Sequence, residues 1–129
     1  MARALDVDAH VPWVKEFRGM GQTEVQSEGE SNYILLFCPI VSRVGTDISE
    51  ALENIQHRNK PVILVVMHHT FDADYVLAES RRLVNNSNVC LVVDCLFHEG
   101  RLLNCKRNDI ALSEIKKFLG QVKLDLLLL

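Results

Sequence analysis

Three nearly unbroken apolar runs, 33–40 (YILLFCPI), 61–67 (PVILVVM) and 89–97 (VCLVVDCLF), constrain this chain more than any other feature. A strand with one wet face alternates apolar and polar residues, whereas a strand covered on both faces is apolar throughout, as parallel sheets require. The runs are therefore read as central parallel strands, with 62–66 and 89–93 almost wholly buried. Between the first two, Ile48, Ala51, Leu52 and Ile55 recur at helical spacing, so the stretch from Asn32 to Pro61 reads as one βαβ unit. Its loop, Ser42-Arg43-Val44-Gly45-Thr46-Asp47, lies between the carboxyl end of a buried strand and the first turn of a helix. Open α/β sheets place ligands there.

The remaining segments are assigned from the same signals. Pro12 suits a first helical position, and Trp13, Val14 and Phe17 follow it up to Gly19. Thr23-Glu24-Val25-Gln26 is a short edge strand at best. The segment from Asp72 to Val84 is read as a less regular helix, and Glu99-Gly100 as a hairpin turn leading into 101–104. Asn108 is placed as the cap of a helix running to Leu119, with Gly120 as its stop. Helices at both ends of the chain are free to cover the face that the inter-strand crossovers leave bare. The fold expected is α/β, a three-layer Rossmann-like or flavodoxin-like sandwich on a mostly parallel sheet of about four strands, forming a single domain over 1–129. Residues 1–11 are expected to be a leader and 121–129 a peripheral tail.

A chain of 129 residues can bury roughly two-thirds of its unfolded surface, so no cofactor is expected to be needed for folding. The net charge of −3 supplies no field for neutralising phosphates, which disfavours nucleic acid as a partner. No apolar stretch reaches the roughly 18 residues of a membrane span. The four cysteines include no C-x-x-C pair and mostly fall in apolar runs. They are read as buried free thiols in a reducing, cytoplasmic setting, as is consistent with Arg3, Asp6 and Asp8 standing where a signal peptide would be apolar. No buried strand is evident before Thr23, and the final LDLLLL adds apolar surface, so self-association as a homodimer is expected.

The strand directions deliver Ser42, Arg43, Gly45 and Thr46, then His68 and His69, then Asp94 and His98 to one sheet edge. These are the candidate ligand-binding residues, suited to a small molecule such as a nucleotide or sugar phosphate with Arg43 as the anion contact. The His68, His69, Asp94 and His98 set matches no zinc spacing, and neighbours on a strand point to opposite faces, so no metal is expected. Asp47 and Glu50 admit two readings. They form a capping box at the helix start, or they are catalytic carboxylates.

Two resemblances attach to these residues. FCPIVSRVGTDISEAL, KPVILVVMHHTFDADYV and VDCLFHE resemble a family of small, functionally uncharacterised vertebrate proteins, over about Thr23 to Asp109. The order of strand, Gly-Thr, acidic helix start and Lys-Pro-Val-Ile is similar to nucleoside 2-deoxyribosyltransferase-like proteins, which have a Rossmann-like fold and a helix-borne glutamate nucleophile. That likeness implies Glu50 as the nucleophile of an N-glycosidic hydrolase or transferase, with Asp47 or Asp94 assisting. Glu50 stands four residues after Thr46 rather than the three of that family, and Arg43-Val44 replaces its Asp-Ser.

Overall fold

The computed structural model describes residues 10–129. A six-stranded sheet runs in the order β1-β6-β2-β3-β4-β5, built from β1 (Thr23–Val25), β2 (Tyr33–Ile40), β3 (Val62–His69), β4 (Val89–His98), β5 (Arg101–Leu102) and β6 (Asp125–Leu128). Every pairing is parallel except that of β4 with β5. The helices are α1 (Val11–Gly19), α2 (Val44–Glu53) and α3 (Lys106–Leu119).

Strand period sorts the core into two halves. Leu35, Ile63, Val65, Met67, Val93, Cys95 and Phe97 point to one face, where Trp13 and Phe17 of α1 and Ala111, Ile115 and Leu119 of α3 close over them. Ile34, Leu36, Cys38, Val62, Leu64 and Val66 point to the other, under Ile48 of α2 and Ile55. The chain steps from β2 to β3 to β4 with its connections on the α2 face, then returns over the opposite face through α3. This is what right-handed crossovers demand when the direction of travel reverses.

Four expectations need correction. The sheet has six strands rather than about four, because 121–129 is not a peripheral tail. Residues 125–128 form β6, inserted between β1 and β2, where Leu126 and Leu127 are buried on opposite faces. The segment 72–84 is not a helix, and only Ser80–Leu83 makes a single 3-10 turn. Tyr75, Val76 and Leu77 are contiguous rather than spaced by three or four, so a helix would have no stripe to bury. The first half of β4 is not fully buried, and Cys90 is exposed. The neighbouring β5 reaches only Phe97 and His98, so residues 89–95 lie along an open edge. Finally, α2 begins at Val44 and α3 at Lys106, with Arg43 and Cys105 as the flanking residues. Asp47 and Asn108 therefore sit inside their helices. Asn108 instead clamps Leu96 of β4, bonding both its N–H and its carbonyl, and also the carbonyl of Leu103.

Other expectations hold. The hairpin at Glu99-Gly100 forms with both residues at positive φ, the backbone that a two-residue turn with strand-like twist needs. Residues 62–66 are central, parallel and fully buried, and all four cysteines are free thiols.

Candidate functional site

Asp47 organises the loop after β2. Its Oδ2 accepts from the backbone N–H of Val41 at 2.8 Å and of Ser42 at 2.9 Å, and its Oδ1 accepts from the Ser42 hydroxyl at 3.0 Å. The carboxylate thus occupies the donors that a ligand anion approaching this loop would seek. Arg43, Gly45 and Thr46 are exposed around the helix start. A Cβ on Gly45 would meet nothing within 4 Å, so glycine is not sterically required there.

Beside this loop an open cleft of about 370 Å³ is lined by Cys38, Pro39 and Val41 from the end of β2, and by Asp47, Glu50 and Asn54 from the α2 side. It lies where the strand order changes direction, since β2 is flanked by β3 on one side and by β6 on the other. Asp47, Glu50 and Asn54 are spaced i, i+3, i+7 and so share one helical face. That spacing would have identified Asn54, which sequence reasoning missed. Glu50 is exposed and makes no hydrogen bond among the described residues. Burial pushes the Cys38 thiol up to about 12, assisted by the charges of Asp47 and Glu50. It is a protonated packing group rather than a nucleophile.

His68, Asp94 and Ser80 form a second cluster, buried on the α2 face. His68 Nε2 lies 2.8 Å from Asp94 Oδ1, the Ser80 N–H donates to Oδ2 at 3.0 Å, and the Ser80 hydroxyl donates to Oδ1. Burial alone would raise the Asp94 carboxyl. The hydrogen bonds from His68 and from the Ser80 hydroxyl and N–H, together with the imidazole charge, outweigh it and hold the group below its ordinary value. Serine and histidine both bond the aspartate and not each other, so no base is aligned on the serine oxygen. The arrangement differs from a nucleophilic triad, in which the histidine stands between. It fixes the irregular 70–84 segment to the sheet.

His69 and His98 are separated from that cluster. His69 points to the other face, with its ring 5.2 Å from that of Phe97 and 5.0 Å from that of His98, and His98 in turn meets Phe71. The expected ligand set is therefore divided into the Asp47 loop, a buried His68–Asp94 tie and a tilted ring pair of exposed His69 with half-buried His98. Among the described residues, no group of three or more His, Cys, Asp or Glu is arranged to hold a metal ion. No helix among them is long and apolar enough to cross a membrane. The chain matches no protein-family model, no curated protein and no solved structure.

Proposed function

We propose that this chain is a Rossmann-like domain that binds a small hydroxyl-bearing ligand, a nucleoside or sugar, in the cleft between the end of β2 and α2. The observation that carries the reading is the donor-seeking character of that cleft. Glu50 and Asn54 offer oxygens above an apolar floor of Cys38, Pro39 and Val41, while Asp47, its oxygens held by Val41 and Ser42, adds only its negative charge. Vicinal hydroxyls donate to carboxylates, and a base or sugar face packs on the floor. A phosphate there would meet two carboxylates and be repelled. Titrating labelled protein with nucleosides, free sugars and sugar phosphates should move the amide signals of 37–41 and 47–54 with the unphosphorylated ligands. Glu50→Gln should weaken that binding about tenfold, as for the loss of one charge-assisted hydrogen bond. Absence of saturable shifts at these residues would overturn the reading.

The unbonded carboxylate of Glu50 favours a catalytic version of the same site, in which it attacks the anomeric carbon and the base departs. Release of free base from a nucleoside by the wild-type protein, and not by Glu50→Gln, tests it.

The leucine-rich end no longer argues for a dimer, because it is β6. Self-association is instead favoured by the loop after β3, where Phe71 and Val76 are 81% and 87% exposed. Asp74 of that loop lines a shallow cleft together with Lys106 and Arg107, a set of opposite charges that a second copy related by a two-fold axis would pair reciprocally. Sedimentation of wild-type and Phe71→Ser protein decides it, with the variant expected to be monomeric.

A further inference from the structure

At the opposite end of the sheet, where α1 and α3 finish, lies a cleft of about 740 Å³ whose charged lining is entirely cationic: Arg18, Lys116 and Lys123, with Gln121 between them. Among the described residues no carboxylate lines it, although the chain as a whole carries a net charge of −3. Arg18 and Lys116 stand in the last turns of their helices, where cations are ordinarily favoured by the helix dipole. Lys123 belongs to no helix and needs another account.

The backbone is shaped around Lys123. Gly21 has φ +86, and a Cβ there would come within 3.1 Å of Lys123 Cγ. Only glycine both adopts that conformation at ease and lets the lysine stem lie across it. The turn carrying Gly21 is fastened to the segment carrying Lys123. Buried Gln22 donates to the Val122 carbonyl at 2.9 Å and accepts from the Tyr33 hydroxyl at 2.8 Å. The two walls are thus held together by the core, and the cations are presented from a rigid frame. Among the described residues the ion-pair partner of these cations is Glu24, 4.0 Å from an Arg18 side chain that is two-thirds exposed, a contact too long and too wet to neutralise the site.

We infer that this cleft is a second binding site, for a small molecule carrying a phosphate or diphosphate group. Three cations on one rim suit the several oxygens of a diphosphate, the guanidinium of Arg18 can engage two of them in parallel, and the volume falls in the range of sites for nucleotide-sized ligands. This site is separate from the β2–α2 cleft, whose carboxylates turn phosphate away, so the two proposals stand or fall separately.

Inorganic pyrophosphate is the probe. Titrated into labelled protein at near-physiological salt, it should move the amide signals of Gly19, Gly21, Gly120 and Gln121 in a saturable way and leave those of 37–41 and 47–54 in place. Lys116→Gln and Lys123→Gln should each weaken binding about tenfold, and Arg82→Gln, an exposed cation elsewhere, should not weaken it. Thermal melting checks that each variant is folded. Should Lys123→Gln fail that check, Arg18→Gln with Lys116→Gln replaces it, with about a hundredfold loss expected. The proposal is overturned by the absence of saturation at millimolar pyrophosphate, by equal affinity in wild-type and cleft variants, or by pelleting with anionic phospholipid vesicles without any response to the soluble probe.

Discussion

The two connections that cross the α2 face leave adjacent parallel strands and end in adjacent parallel strands, yet they are built differently. The β2–β3 connection is a ten-residue helix with its apolar residues on one side. The β3–β4 connection has a single 3-10 turn and leaves Phe71, Tyr75 and Val76 largely in solvent. Each is fastened by one buried aspartate. Asp47 reaches back six residues within its own loop, while Asp94 joins a strand, its neighbour and the crossover between them. A helix is secured to a sheet by its apolar stripe and needs only local tidying. A crossover without such a stripe hangs on a polar tie, and the tie must be buried to hold.

The largest effect expected follows from removing the buried tie. Asp94→Ala strands His68 and the Ser80 N–H without a partner inside the protein, and should lower unfolding free energy by about 3 kcal/mol in urea titration. Asp47→Ala should cost about 1 kcal/mol, because the freed N–H groups of Val41 and Ser42 lie near water. Equal losses at the two sites would erase the distinction drawn between the connections.

The pH dependence sharpens the comparison. The folded Asp94 carboxyl sits below its unfolded value, so its contribution is complete above the unfolded pKa of about 3.9 and is lost as pH falls through the folded one. The gap in urea midpoint between wild type and Asp94→Asn should therefore be wide at neutral pH and close at strongly acid pH. Smallest of all, Val76→Thr on the exposed loop should change stability by no more than about 0.5 kcal/mol. A larger loss would mean that Val76 is covered.

The buried strands were legible because β2 and β3 have no polar face to misplace, and the hairpin because Glu99-Gly100 sits between two strand-like runs. β6 was not legible. The helix and Gly120 before it were legible, but DLLL is only four residues long, and its partners, Tyr33 to Leu35 and Thr23 to Val25, lie roughly ninety to a hundred residues earlier. Strand directions were enough to bring Ser42, His68 and Asp94 to one edge. They could not tell that Asp47 would spend its oxygens on Val41 and Ser42, or that Ser80 would be drawn under Asp94, since both depend on where a loop settles after the sheet exists.

The insertion of β6 between β1 and β2 also sets the order of events in biosynthesis. Made from its amino end, the chain completes β1, β2 and β3 long before it possesses the strand that separates the first two. Until residue 128 is available, the β2 edge facing β1 stays open, and an N-terminal fragment in which β1 moves across to close it pairs the wrong neighbours. The native sheet therefore closes late, through slow, long-range pairing of β6. During that interval an apolar strand edge is exposed, and it is the point at which a chaperone would have to shield the nascent chain from other copies of itself.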